Sequence, residues 1–382
     1  MAMDDIVNEL ILDDIFSVYN TAEQVMLQKL ANSVKRGAMS GWSHDKTVSV
    51  QKVVGELERT IGALNNSILP ATSRAILQAY IKGINSANND LGMPTTTLKE
   101  MLQIPYHIQR LILDANNIIR GASVQILRAT SDAYRSIVAD SASILLTGVE
   151  TPIESAQRAL NAFAAKGITS FVDKAGRQWE MSSYVNMALR TASSRAALQG
   201  HIDRSLDLGH DLMIVSHFGR TCPICAPWEG VVLSISGKTP GYKRLADARA
   251  AGLFHPNCKH TLLAYFPGIT KIPKTTNDDE HYRNTQIQRY NERQIRKYKR
   301  LEAVALTTQA ALSASSKVSK WQAIQRKHIN ETGLTRRYAR ETPRSGVASN
   351  AVIGRQTIKL DDVGWKVREQ QIIDDAIKGK KA

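Results

Sequence analysis

The stretch Thr221-Cys-Pro-Ile-Cys225-Ala-Pro-Trp-Glu-Gly230, answered by Leu253-Phe-His255-Pro-Asn-Cys258-Lys-His260, decides how the middle of the chain folds. It reads Cys-x2-Cys, a 29-residue gap, then His-x2-Cys-x-His. A two-residue spacer lets both side chains of a tight turn reach one cation, which is why paired ligands recur at that spacing. Pro256-Asn257 inside the second pair is a turn dipeptide that fixes the loop. All three cysteines of the 382 residues fall within this 37-residue window, an odd number that argues for metal over a disulfide framework. Cys222, Cys225, His255 and Cys258 close a tetrahedral Cys3His shell with no open position, the pattern of a structural Zn2+. His260 is a fifth candidate and stands as the alternative ligand to His255.

Outward from this window the chain changes character. The first 145 residues carry apolar residues at three-to-four spacing. Ile15, Val18, Tyr19, Ala22, Met26 and Leu30 form one such series, stopping at Gly37; Val50, Val53, Val54, Leu57, Ile61 and Leu64 form another, ending before Pro70. Ala71–Ile84, Pro105–Ile119 and Gln125–Leu146 continue the pattern, as a helical bundle or array would. Thr151-Pro-Ile-Glu154 is a capping box with proline at the first helical position, so a helix starts there and ends at Gly167. Phe171–Trp179 alternates around a Lys-Ala-Gly turn and predicts a hairpin. A helix over Tyr184–Gln199 closed by Gly200, strands at Leu212–Ser216 and Gly230–Ser236, and a helix over Lys243–Ala251 complete a mixed region. The fold class expected is α+β, mainly α: a helical domain over residues 1–148, a small zinc-stapled α+β domain over 149–270, and a basic, partly helical extension over 271–382.

Composition agrees with a globular chain: 43% hydrophobic and 22% charged residues exclude whole-chain disorder, and 6% aromatic residues favour helices over a sandwich. No apolar run approaches the roughly 20 residues that span a bilayer. The acidic start Met1-Ala-Met-Asp-Asp is unlike a signal peptide, so the expectation is a soluble chain made in a reducing cytoplasm. The formal net charge of +15 is concentrated in one segment: residues 281–344 hold fifteen Lys and Arg against four Asp and Glu. Within it Arg289, Arg293, Arg296, Lys297, Lys299 and Arg300 surround a thin apolar seam of Ile287, Tyr290, Ile295 and Tyr298 on one helix. Such a surface would meet an anionic partner, most simply nucleic acid, or an acidic protein face. Ala310–Ser316 reads as a hinge or weak helix, and the last 38 residues as a small β element and a terminal helix.

Several motifs in order resemble one family. They are Gly167-Ile-Thr-Ser-Phe-Val-Asp173, Gly176-Arg-Gln-Trp179, Ser183-Tyr-Val-Asn-Met187 with Arg190-Thr191, and Asp211-Leu-Met-Ile-Val-Ser-His217. They continue through Cys222-Pro-Ile-Cys225, Trp228-Glu-Gly230, Ser234-Ile-Ser-Gly237 and Phe254-His-Pro-Asn-Cys-Lys-His260 to Phe266-Pro-Gly268 and the helix Gln288–Arg296. This series is similar to the minor capsid proteins of tailed bacteriophages, the phage minor capsid protein 2 group related to the Mu F-like head morphogenesis proteins. Lys259 stands where that family often has Arg. The resemblance spans roughly residues 10–340 and is dense between 150 and 300. It implies a low-copy virion protein of the head, at the portal vertex, assembled in the host cytoplasm. Such a protein assists head assembly and genome packaging or delivery, and is structural rather than catalytic. Its partners would be the portal protein, other head proteins and packaged DNA, with no membrane and no small-molecule substrate. The competing reading is a zinc-containing nucleic-acid-binding protein or a metal-dependent nuclease, which would recruit His217, His255 or His260 with Glu229 as the nearby acid.

Overall fold

The computed structural model describes residues 22–36, 46–101, 103–144, 151–166, 169–172, 178–217, 221–272, 279–341, 350–353 and 356–359. The expected series members Ile15, Val18 and Tyr19 and the terminal helix lie outside these residues, as do the turn of the hairpin at 173–177 and the segment 273–278.

Five helices build the larger body: α1 (22–36), α2 (Lys46–Asp90), α3 (Tyr106–Ile144), α4 (Pro152–Lys166) and α5 (Met181–Asp207). Their apolar faces meet in one core that includes Met26, Leu30, Leu57, Leu64, Ile76, Ile108, Ile119, Leu160, Leu189 and Ala196. Each large aliphatic side chain buried this way contributes about 1.5–3 kcal/mol. The capping box forms: the Glu154 carboxylate accepts from the Thr151 amide at 2.9 Å, and the Glu154 amide donates to the Thr151 hydroxyl at 3.3 Å. β1 (Thr169–Val172) and β2 (Gln178–Glu180) pair antiparallel as the hairpin reading expects.

Three helix boundaries differ from the sequence reading. Pro70 does not end a helix: α2 runs through it, losing one ladder bond while Ile68, Ala71, Ala75 and Ile76 keep a continuous buried face. Pro105–Ile119 and Gln125–Leu146 are one helix, α3. Gly200 does not close α5 but lies inside it, at the crossing with α2. A Cβ at Gly200 would sit 2.2 Å from the Tyr80 carbonyl oxygen, and one at Gly83 would sit 1.9 Å from that of Ala197. The two glycines let the backbones touch, a use of glycine that periodicity cannot distinguish from a stop. Around the crossing the Tyr80 hydroxyl donates to Asp203 at 2.9 Å and Arg204 donates to Asn88 at 2.6 Å.

The smaller lobe is a four-stranded sheet, ordered β5-β4-β3-β6, of β3 (Leu212–Val215), β4 (Val232–Ser234), β5 (Lys243–Arg244) and β6 (Leu262–Ala264). β3 is antiparallel to both neighbours, with Met213 opposite Leu233 and Ala264, and β4 is parallel to β5. The strand at Leu262–Ala264 is additional to the expected elements, and the N-terminal end of the expected Lys243–Ala251 helix is β5, followed by α6 (Leu245–Ala250). Leu198 and Ile202 of α5 pack with Met213, Val215, Leu233, Leu245, Leu253 and Leu262 in a second core that also holds Cys225 and Cys258. α5 thus belongs to both cores.

Then come α7 (Asp279–Ala303), α8 (Thr308–Thr332), α9 (Tyr338–Glu341) and the hairpin β7 (Asn350–Ile353)–β8 (Gln356–Lys359). The Ala/Ser-rich stretch is regular helix within α8, opened by Thr307, whose hydroxyl accepts from the Ala310 amide at 3.2 Å, and closed by Gly333 at φ +67°. Val304 and Leu306 enter the first core, and Gln157 of α4 ties the segment down by accepting from the Leu306 amide at 2.6 Å. Residues on both sides of position 148, together with Val304 and Leu306, thus contribute to the first core. Among the described residues no helix is long and apolar enough to cross a membrane.

A candidate metal centre

The cysteine pair sits on the turn that leaves β3. The Cys225 and Ala226 amides both donate to the Cys222 carbonyl, at 3.1 and 3.0 Å, and Pro227 then sets a short 3-10 turn over Ala226–Trp228. The second pair lies on the loop that enters β6. There the Cys258 amide donates to the His255 carbonyl at 2.9 Å, and Phe254 and Asn257 adopt left-handed φ of 62° and 65°. Asn accepts that region readily; Phe does so only where the surroundings hold it. Both loops are thus folded back so that all five side chains converge.

Cys222 Sγ lies 3.0 Å from His255 Nε2, Cys225 Sγ 3.7 Å from Cys258 Sγ, and Cys258 Sγ 3.3 Å from His260 Nδ1. Two donor triads result, Cys222–Cys225–His255 and Cys225–Cys258–His260, with Cys225 common to both. Metal–thiolate bonds of about 2.3 Å in a tetrahedron place two sulfurs roughly 3.8 Å apart, close to the Cys225–Cys258 separation. The outer nitrogen of each imidazole is already engaged. His255 Nδ1 is 2.8 Å from the Pro256 carbonyl, and His260 Nε2 is 2.8 Å from Glu229 Oε1. Engaging one ring nitrogen leaves the lone pair of the other for the cluster, which is how ligating histidines are oriented. The donor set fits a zinc-like cation, with one imidazole more than a tetrahedral shell needs.

Electrostatics follow the geometry. Cys258 is held far down, to about 4, by the Cys225 thiol donating to it and by His260, against its own burial. Cys225 is correspondingly pushed up by Cys258 and by burial. Burial opposes the charged form of His260, but the Cys258 thiolate and the Glu229 carboxylate outweigh it and raise its pKa. Glu229 also accepts from the Thr221 hydroxyl and approaches His217 Nδ1 at 3.4 Å. In the sequence Glu229 shows only as a candidate acid for hydrolysis; its place beside the Trp228 turn gives no sign that it braces His260.

The basic helix is a different matter. Arg296 and Arg300 of α7 are buried, at 6% and 2% exposure, and both reach the Glu180 carboxylate at 3.0 Å. Arg300 also donates to the Ala164 carbonyl at 3.0 Å and lies 3.9 Å from Glu23. These two arginines fasten α7 to the body, which corrects the expectation that they contact an outside partner. The missed signal was Glu180, more than a hundred residues away and visible only in the fold. Ile295 is buried as the seam requires, whereas Ile287 and Tyr290 are exposed, Tyr290 standing edge-on to Trp321 of α8 at 5.7 Å. Arg293 is exposed and lies over the Tyr290 ring, and half-buried Lys297 lies over Tyr298. Lys299 is half-buried, its pKa lowered by burial. Arg289 turns to a cleft beside the cysteines.

The family model described as Phage minor capsid protein 2 matches residues 4–330. A protein named "Structural protein" from Lactococcus phage LL-H is 26% identical over 342 residues, covering 84% of this chain and 90% of that protein. A "Structural protein" from Lactococcus phage mv4 is 37% identical over 113 residues, 27% of this chain and 92% of that shorter protein. No solved structure matches the chain. With the family model covering most of its length, this chain belongs to the Phage minor capsid protein 2 family of virion structural proteins.

Proposed function

We propose that this minor capsid protein is a non-enzymatic component of the head, seated at the portal vertex, where it assists assembly and the packaging or delivery of the genome. The family match along residues 4–330 is the observation that carries the reading. The helical body would supply the surface for the portal and its neighbours. The smaller lobe would be fixed by one Zn2+ held by Cys222, Cys225, Cys258 and His255, with His260 as the alternative fourth donor. Bound there, the cation ties the loop after β3 to the loop before β6 and adds folding free energy to a lobe whose own core is small. A hydrolytic metal site keeps an open position for water and a base beside it. The surplus imidazole and the commitment of Glu229 to His260 and Thr221 favour the structural reading instead.

The test is co-expression with the portal protein of the same genome, followed by size-exclusion chromatography and mass spectrometry of mature particles. A complex that survives the column, with the chain present at low copy in particles, is expected. Absence from both would overturn the portal reading.

A further inference from the structure

Between the cysteine–histidine cluster, α7 and the segment leading to α9 lies a cleft of about 290 Å³. Apart from the sulfurs of Cys222, Cys225 and Cys258, which also line it, its ionisable lining is mostly basic: Arg190, Lys259, Arg289, Arg337 and Arg340 against Glu292. All five basic side chains are half-buried, so they present charge inside a concave wall and not on an open surface. The wall is fixed by Gln288 donating to the Thr335 carbonyl at 2.9 Å, Arg296 to the Arg340 carbonyl at 2.8 Å, and Arg190 Nε to Asn186 Oδ1 at 2.9 Å. Arg336 and Glu341 pair at 2.5 Å and hold the short α9 turn. Burial chiefly, and then the proximity of Arg190 and Arg337, disfavours the charged form of Arg289, while Glu292 relieves only part of this. Glu292 is itself shifted upward by burial, so it is a weak counterion.

We propose that this cleft binds backbone phosphates of single-stranded DNA, such as a genome end or a frayed strand. Clustered guanidiniums in a partly desolvated wall suit phosphate oxygens, which they meet in bidentate fashion. The volume lies at the lower edge of ligand clefts and admits one nucleotide with its flanking phosphates, whereas a duplex is too wide to enter. Tyr282 and Gln286 on the same wall offer a ring and an amide to a base without reading a particular sequence. The inference deepens the head-protein reading by naming the chemistry this site meets. It replaces the idea of a helix charged around its whole circumference with one concave patch.

The test uses the full, metal-loaded chain and fluorescence anisotropy with a labelled single-stranded oligonucleotide, its duplex form, and a poly-glutamate competitor of equal charge. Arg289→Gln/Arg337→Gln should weaken single-strand binding at least tenfold and lower the log–log salt slope by about 1.4, two phosphates at roughly 0.7 each. Lys317→Gln/Lys320→Gln removes the same charge from the exposed face of α8 and should change affinity less than twofold. Pyrophosphate should raise the melting temperature of the parent chain and not that of the arginine double variant, which also reports that the variant is folded. Equal losses in both double variants, duplex bound as tightly as single strand, or poly-glutamate displacing DNA at equal charge would overturn the proposal, the last pointing to an acidic protein. Portal binding retained by the arginine variant separates failure of this site from failure of the head-protein reading.

Discussion

The guanidinium of Arg300 lies 3.0 Å from the carboxylate of Glu180, 120 residues earlier in the chain, and Arg296 shares the same acid. This buried triad locks the basic helix α7 onto the end of β2. Burial alone would raise the Glu180 pKa, but the two arginines outweigh it and bring it from 4.5 down to about 2. Removing one partner of such a group leaves uncompensated charge, so Glu180→Gln should cost about 3–5 kcal/mol in chemical unfolding. A loss below 1 kcal/mol would mean that the triad is not what fastens α7.

The same triad sets a pH dependence. A depressed carboxylate stabilises fully above its ordinary value and loses that contribution as pH falls towards its folded value. Thermal melts should therefore show a stability loss between about pH 4.5 and 2 that is clearly smaller in Glu180→Gln. Parallel curves for the two proteins would contradict this.

Two glycines with the same sequence appearance should respond in opposite ways. Gly83→Ala drives a methyl into the Ala197 carbonyl and should cost about 3 kcal/mol or more, since backbone cannot yield cheaply. Gly121, inside α3 with nothing near its missing Cβ, should gain roughly 0.5–1 kcal/mol as alanine. Calorimetry of the two variants decides it, and equal shifts would mean the α2–α5 crossing is looser than described.

The two imidazoles of the cluster are distinguishable by zinc competition with a chromophoric chelator. His255→Ala should weaken zinc binding at least tenfold. His260→Ala should chiefly lower stability, by about 1–3 kcal/mol, because it leaves Glu229 buried without that partner. The reverse ordering would place His260 in the shell and Glu229 behind it as its orienting carboxylate.

Much of this was legible in the chain. The Thr151–Glu154 capping box, the strands at Leu212–Val215 and Val232–Ser234, and the convergence of Cys222, Cys225, His255, Cys258 and His260 all follow from local spacing. What was not legible depends on distant partners. Pro70 and Gly200 read as stops because their tertiary neighbours, which override the local rule, are invisible in a periodicity pattern. Arg296 and Arg300 read as surface charge because nothing near them in sequence announces Glu180. The strand Leu262–Ala264 is three residues long, too short to carry a signal without the sheet it completes.

The most direct test of the proposed metal staple in the smaller lobe is elemental analysis of the purified full chain, before and after chelation, with near-UV circular dichroism of the same samples. Close to one zinc per chain is expected, with loss of the aromatic signal around Trp228 when the metal is withdrawn and its return on adding zinc. Less than about 0.2 zinc per chain, with the lobe still folded after chelation, would contradict a structural metal at Cys222, Cys225, Cys258 and His255.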